Sequence, residues 1–290
     1  MKLIWKFNLV LLGIFLVGFA ISGYVSYKVL QKNAREEVLQ HARLMMEAAL
    51  ASRTYTNTQV KPLLETQLKY VFLPQTVPAY AATEQFNDLR KTHKDYAYKE
   101  ATLNPTNPRD RASDWEADVV QIFRQAPETP EVIGERDTPT GRSLYLARPI
   151  QIKNGACLVC HSTMDVAPKT MLDIYGSANG FGWKMNEIIG AQVVSVPMTV
   201  PVLRANSTFQ TFMISLAAVF LATFVLLNVM LHTMVIRRVT RLAAIADQVS
   251  LGNLEAGEFR TRSKDEIGVL TEALGRMKTS LVQALKMLEE

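Results

Sequence analysis

Two long uncharged apolar stretches constrain this chain more than any other feature. Residues 9–27 contain no Asp, Glu, Lys or Arg, and a second uncharged run extends from Ala205 to Ile236. A helix needs about 20 mostly apolar residues to cross the hydrocarbon core of a bilayer. The sequence therefore predicts transmembrane helices over residues 9–28 and 208–235. The alternative, two buried helices of a soluble core, fits these lengths poorly.

The positive charges beside these stretches predict an orientation. Two lysines precede the first stretch and three arginines follow the second (Lys2 and Lys6; Arg237, Arg238 and Arg241). Positive side chains concentrate on the cytoplasmic side of bacterial inner membranes. Residues 1–8 and 236–290 are therefore expected in the cytoplasm, and residues 29–207 outside it. A cleaved signal peptide is the competing interpretation, since Ala20-Ile21-Ser22 resembles a cleavage site, but the apolar run is long for one.

The net charge of +5 follows from this topology. Residues 29–207 carry 20 basic and 19 acidic side chains, and residues 237–290 carry 9 and 8. The other three positive charges are Lys2, Lys6 and Lys28, which flank the first stretch and suit a membrane surface. The charge therefore gives no indication of nucleic-acid binding.

The outer segment is predicted to be an α+β domain. Helical spacing of apolar residues continues after the first span through Val38 and Ala49, and no Gly or Pro interrupts before Pro62, so one long helix is expected to about residue 55. Strands are expected at 131–133, 144–150 and 191–196, with a hairpin around Gly141. Four prolines predict looped stretches between them: Pro74, Pro78, Pro105 and Pro108. These elements predict an antiparallel sheet with a long N-terminal helix.

The string Cys157-Leu158-Val159-Cys160-His161 is typical of covalent c-type haem attachment. Two thiols at this spacing reach the two vinyl groups of one haem, and the next histidine serves as the proximal iron ligand. The string predicts one covalent haem c per chain, with Cys157, Cys160 and His161 as its residues. A thioredoxin-like redox pair lacks its usual βαβ context, and a zinc site lacks a second ligand pair at the required spacing.

The residues around the haem are less constrained by the pattern. His41, His93, several methionines, water or an open position are all candidates for the sixth ligand. The Gly-rich stretch Tyr175–Trp183 is a candidate wall of the haem site. In it, Phe181 and Trp183 would pack on the ring, although an irregular loop with core aromatics explains the same residues.

The tail shows two heptad seams separated by Gly252, and Asp265-Glu266-Ile267-Gly268 opens the second helix. This pattern resembles a HAMP linker domain over residues 232–283. The resemblance implies a parallel homodimeric four-helix bundle that passes membrane signals inward. The chain departs from the family at the start of the first helix, where Arg238-Val239-Thr240 stands in place of a proline. A simple dimerising coiled coil is the alternative interpretation.

The outer segment resembles a family of bacterial extracytoplasmic c-type haem domains with a PAS-like fold, long classed as of unknown function. The resemblance implies a haem between a sheet and the N-terminal helix, with His161 proximal and a sixth ligand from that helix, in one form a cysteine. This chain has no cysteine there, so Met46 is the predicted replacement, with Met45 next. The motifs that carry the resemblance are Arg53–Thr56, Val77–Ala82, Asn104–Ala112, Trp115-Glu116, Cys157–His161 and Tyr175–Trp183.

These features predict a membrane-bound haem sensor of redox state or a diatomic gas. It would signal through a HAMP homodimer to a separate cytoplasmic partner. A membrane-anchored cytochrome that carries electrons is the alternative, and a sensor of an organic ligand with a structural haem is a third. No Ser/His/Asp arrangement, metal triad or nucleotide loop predicts an enzyme.

Overall fold

The computed structural model describes residues 3–260 and 264–289. The chain divides into two compact units, Ser26–Phe209 and Met1–Val25 together with Gln210–Glu290. Short helical turns lie at Lys61–Leu63 and Glu65–Leu68. The other α-helices are α1 (Leu3–Tyr55), α2 (Pro78–Thr92), α3 (Asp114–Gln125), α4 (Leu158–His161), α5 (Lys169–Tyr175), α6 (Thr199–Met230), α7 (Arg237–Ser250) and α8 (Glu266–Glu289). The strands are β1 (Ala97–Thr102), β2 (Val132–Thr138), β3 (Gly141–Gln151) and β4 (Ile188–Pro197).

The helix α1 is continuous over 53 residues and ends in a π-helical turn at Thr56–Val60. Within Ser26–Phe209 its buried side chains recur every three or four residues, at Ala34, Val38, Ala42, Met46 and Ala49. This spacing places them on one face of the helix. The face packs against the sheet, which explains why so long a helix is stable outside a membrane.

The four strands form one antiparallel sheet in the order β1-β4-β3-β2. The strands β2 and β3 form a hairpin whose turn pairs Thr138 with Gly141. The central strand β4 pairs with both β1 and β3, and nearly all of its residues are buried. The sequence of a strand that is covered on both faces is a continuous run of apolar residues, and Val193-Val194 in β4 shows this pattern.

Each face of the sheet has its own core. On one face, Leu144, Leu146 and Val194 pack with the buried stripe of α1 and with Phe86 of α2. On the other face, alternate residues of the same strands pack against α3. This second core contains Ala101, Val119, Val120, Phe123, Ala147, Ala191 and Val193. The strict alternation between the two clusters fixes the register, because a shift of one residue would exchange the faces.

A buried ion pair joins the end of α1 to the sheet. The Arg53 guanidinium donates to the Glu100 carboxylate on β1, and Glu100 is almost fully buried. Tyr98 Oη donates to Glu100 Oε1 at 2.7 Å, and Gln192 Nε2 donates to Tyr98 Oη at 3.1 Å. Burial, and then the Glu100 charge, raise the pKa of Tyr98, which keeps this phenol protonated. Breaking such a pair costs about 3–5 kcal/mol, since it leaves one buried charge without a partner.

The second unit contains the apolar segments and the tail. The helices α1 and α6 each include a stretch long and apolar enough to cross a membrane, by length and composition. Phe15 and Phe220 stack with ring centroids 4.8 Å apart. A methyl group on Gly23 would come within 3.1 Å of Met213 Cε, so glycine permits this close packing of the two helices.

In the tail, α7 and α8 are joined by a connector that packs on α8. Asp265 Oδ1 accepts from the backbone N–H of Gly268 at 2.9 Å and so caps the start of α8. Leu242, Val249 and Ala256 are buried, whereas Leu270 and Met277 on α8 are exposed in the single chain. A π-helical turn at Leu231–Ile236 leads into α7, whose first turn contains Arg238-Val239-Thr240 in place of a proline.

The predicted fold class is confirmed, including the long N-terminal helix, its end near residue 55 and the hairpin at Gly141. The prediction of a looped stretch at Pro78 was wrong. Pro78 occupies the first turn of α2, where a missing N–H costs nothing, rather than a loop. The helices α2 and α3 and the edge strand β1 were not predicted from the pattern.

Candidate haem site

The Cys157–His161 string forms a compact helical turn between β3 and α5. A 3-10 turn at Gly155–Cys157 leads directly into α4, and Asn154 Oδ1 caps the turn by accepting from Ala156 N at 2.9 Å. Residues three apart lie on the same side of a helix, so this turn places both sulfurs on one side. Both cysteines are free thiols and half-buried, and His161 follows at once.

The orientation of the His161 ring is set by a backbone carbonyl. His161 Nδ1 lies 2.8 Å from the carbonyl oxygen of Gly180. A carbonyl oxygen can only accept, so Nδ1 carries the proton and Nε2 keeps its lone pair. Metal-binding histidines commonly use one ring N–H in this way, which fixes the tautomer and leaves the other nitrogen for the metal.

The Gly-rich segment after α5 lies along the string. Trp183 N donates to the His161 carbonyl at 3.1 Å, and Gly182 N donates to the Ser162 carbonyl at 2.8 Å. The Trp183 indole stacks on the His161 imidazole, with ring centroids 3.9 Å apart and planes 17° from parallel. Trp183 therefore restricts rotation of the imidazole. Phe181 is in the same segment and is half-buried.

Two residues of the loop after β1 complete this arrangement. Asn104 Oδ1 accepts from Gly180 N at 3.2 Å, and Asn104 Nδ2 donates to the Phe181 carbonyl at 3.3 Å. Thr106 Oγ1 lies 3.4 Å from His161 Nδ1. The sequence motif containing Asn104 and Thr106 was identified, but neither residue was given a role. A backbone acceptor such as the Gly180 carbonyl has no side-chain signal from which it could have been found.

Gly180 cannot be replaced without disturbing this arrangement. Its φ is +88°, in the region that favours glycine. A methyl group at this position would lie 2.0 Å from Thr106 Oγ1 and 2.9 Å from Thr106 Cα. The backbone conformation and the packing of Thr106 therefore both require glycine next to the histidine.

Burial favours the neutral forms of His161 and Cys160. Burial lowers the pKa of His161, and the hydrogen bond to Gly180 opposes this only in part. The imidazole is therefore neutral near pH 7, the form that binds a metal. Burial raises the pKa of the Cys160 thiol, while the Lys61 ammonium lowers it. Lys61 follows the π-helical turn at the end of α1, so the end of this helix lies near the string.

Several apolar side chains on the segments beside the string face solvent. In a folded domain, clustered exposed apolar groups indicate a binding surface. Phe72 meets Tyr175 edge-on, with centroids 6.1 Å apart, which joins the segment after Lys61 to α5. The exposed apolar residues of these segments are Leu63, Tyr70, Val71, Val159, Met164, Val166 and Ile174. These side chains supply exposed apolar area on the segments near the string.

Met46, the predicted sixth ligand, lies in the core between α1 and the sheet. It is completely buried among Val38, Ala42, Leu146 and Val194. That core cluster contains no residue of the Cys157–His161 string, whereas His161 meets Gly180, Thr106 and Trp183. The structure thus brings Trp183 to His161 but gives Met46 the surroundings of a packing residue. The assignment of Met46 as a ligand stays a prediction.

A comparison with protein-family profiles places these features in a known family. The Tll0287-like profile matches residues 31–197, which is more than half of the chain. The chain belongs to the Tll0287-like family. A HAMP domain profile matches residues 230–283, so the Tll0287-like domain is followed by a HAMP domain.

One solved structure also resembles the chain. The crystal structure of the cyanobacterial heme-protein Tll0287 matches 56% of this chain and 95% of its own, at 15% identity and a TM-score of 0.43. A search of curated proteins gives no significant match.

We predict that Gly180→Ala lowers the unfolding free energy by about 2–4 kcal/mol, because left-handed backbone strain and overpacking against Thr106 add together. Gly182 is a matched control, since its φ is +82° and a methyl group there meets nothing within 4 Å. Gly182→Ala should cost only about 1–2 kcal/mol. Thermal unfolding of the detergent-solubilised chain, followed by tryptophan fluorescence, measures both. Equal losses for the two variants would show that the Thr106 contact is unimportant.

We predict that Met46→Ala destabilises the Tll0287-like domain by about 2–5 kcal/mol through a core cavity. Met46→Leu keeps the volume and should cost less than about 1.5 kcal/mol. Met46→Leu should also leave the visible spectrum of the c-type-matured chain unchanged, because the core encloses this side chain. A changed low-spin spectrum in a stably folded Met46→Leu variant would instead establish Met46 as an iron ligand.

Proposed function

We propose that this chain is a membrane-bound c-type haem sensor that signals through its HAMP domain to a separate output partner. In this proposal Cys157 and Cys160 hold one haem per chain by thioether bonds, and His161 Nε2 is the proximal ligand. The haem iron, when bound, supplies a redox couple and, at an open sixth position, a site for a diatomic gas.

The observation that carries the proposal is the hydrogen bond from His161 Nδ1 to the Gly180 carbonyl at 2.8 Å. It orients the ring and leaves Nε2 free, on a turn that also presents two thiols. Trp183 stacking adds a second restraint on the ring. A histidine held only for packing would not need its tautomer fixed beside two half-buried thiols.

The family and the apolar surroundings support the same cofactor. The Tll0287-like match covers the string, and the solved relative is described as a heme-protein. The exposed apolar side chains beside the string suit the faces and edges of a porphyrin. Phe181 and Trp183 are the proposed aromatic contacts of the haem site.

A connected set of contacts links His161 to α1. Asn104 and Thr106 contact the Gly180–His161 pair and lie two and four residues after the end of β1. The strand β1 carries Glu100, which is ion-paired with Arg53 near the end of α1. A change in the position of the imidazole would displace the Asn104 loop and bias the packing of α1 on the sheet. Two packings that differ in affinity for a ligand are sufficient for signalling.

The proposed topology has two membrane passes, with the haem domain extracytoplasmic and both termini cytoplasmic. The two apolar helices and the flanking positive charges support this arrangement. The exposed apolar residues Leu270 and Met277 of α8 support a homodimer, since a HAMP seam is covered only in the dimer. The alternative of a pure electron carrier gives the HAMP domain no role.

We predict that the chain, expressed with a c-type maturation system, retains haem through denaturing electrophoresis. Cys157→Ala and Cys160→Ala each leave one thioether and should still retain some haem, whereas the double variant should lose all covalent haem. Val159→Ala is the control, since it alters the string without removing a thiol. Haem staining of the gel and the pyridine haemochrome spectrum provide the readout. Full covalent haem in the double variant would contradict the assignment.

We predict that the state of the haem changes the conformation of the HAMP dimer. Met277→Cys on α8 reports this through its rate of cross-linking by a bis-maleimide, a reagent that needs no oxidant. The cross-linking rate should differ among three states: the oxidised chain, the reduced chain, and the reduced chain with CO. The Cys157→Ala, Cys160→Ala background is the control and should show no such difference. An unchanged rate in all states, together with fast electron exchange, would favour the electron carrier.

A further inference from the structure

A second seam of side chains lies on α1, on the side away from the sheet. It consists of His41, Leu44, Ala48, Ala51 and Tyr55, all of which are exposed. The exposed fractions of Leu44 and Tyr55 are 69% and 61%, so the set presents two large apolar side chains to solvent. This set is called the α1 seam below.

The spacing of the α1 seam is that of a coiled coil. Its residues are separated by 3, 4, 3 and 4 positions. A repeat of 3.5 residues keeps the positions on one line of a helix that packs against a partner helix. The two alanines allow close approach of the helix backbones, and Leu44 and Tyr55 supply apolar area at either end.

The buried face of α1 excludes the domain itself as the cover of this seam. Val38, Ala42, Met46 and Ala49 already pack on the sheet and define the opposite face of the same helix. The seam is therefore free in the single chain, within the part that the structure describes. A partner that covers it comes from outside the Ser26–Phe209 unit.

A second copy of this chain is the occupant that fits best. The helix α1 is continuous with a candidate membrane span, so two copies held side by side in a membrane present the same seam at the same height. Leu270 and Met277 on α8 are also exposed in the single chain, and they belong to a HAMP domain, a type of domain that is commonly dimeric. Identical helices in parallel register make a self-complementary two-fold contact.

We infer that two copies of the chain pack against each other along the α1 seam, as a parallel helix pair outside the membrane. The inference rests on the dimeric part of the proposed function. The contact is short, about 22 Å of helix at 1.5 Å per residue, so it depends on the membrane and the HAMP domain for local concentration. The helix that packs on the haem domain would then also be the subunit contact.

Site-directed disulfide cross-linking in membranes tests the inference on the full chain. Leu44→Cys and Ala51→Cys place a thiol on the seam, and Thr54→Cys places one at the same height on an exposed part of the helix off the seam. Both seam variants should form cross-linked dimer roughly tenfold faster than Thr54→Cys. The unsubstituted chain gives the background from its own cysteines, and the haem spectrum shows that each variant is folded.

Met277→Cys on α8 separates the possible failures. Cross-linking at Met277 without cross-linking at Leu44 or Ala51 would overturn the α1 seam and leave the proposed HAMP dimer standing. Equal rates at Leu44, Ala51 and Thr54 would also overturn it, because no specific face would then be in contact. Failure at all positions, Met277 included, would overturn both the seam and the dimeric part of the proposed function.

Discussion

The hydrogen bond between His161 Nδ1 and the Gly180 carbonyl is the contact on which the candidate site depends. It converts a flexible imidazole into a ring of fixed tautomer and direction, and it requires a carbonyl at one position. That position is possible only because Gly180 adopts φ +88° against Thr106. The loop after β1, the Gly-rich segment and the Cys157–His161 turn are thus mutually dependent, and a change in one of them moves the histidine.

The second constraint is the placement of the sheet between two helical layers. Because α1 covers one face and α3 the other, β4 is buried on both sides and has little freedom to shift. The Arg53–Glu100 pair joins α1 to β1 at the end of α1 that leads to Lys61, and Lys61 lies near the string. Such a buried pair contributes less through its net energy than through the large cost of separating it. It therefore holds the end of α1 in register with β1, the strand that leads to Asn104.

The features predictable from the sequence were those with a repeating or local signal. Apolar length predicted the two long apolar helices that are candidate membrane spans, the absence of Gly and Pro predicted α1, and the turn at Gly141 predicted the hairpin. The Cys157–His161 string was recognisable because its residue types and their spacing are those of c-type haem attachment. Asn104, Thr106 and the Gly180 carbonyl were not predictable as site residues. Thr106 and the Gly180 carbonyl meet His161 across 55 and 19 positions of sequence, and Asn104 holds Gly180 across 76 positions. Tertiary contacts of that separation leave no periodic signal in one sequence.

The α1 seam shows how one helix can serve several purposes without conflict. A helix has room for a buried stripe and an exposed seam on opposite sides, since each occupies only part of its circumference. Met46 lies on the buried stripe among core residues. Its assignment as an iron ligand came from the family resemblance and stays a prediction. If the buried stripe packs on the sheet and the α1 seam packs on the other subunit, a small rotation of α1 changes both contacts together. A rotation is also a motion that a continuous helix conveys along its length, so it is the change we expect to reach the membrane.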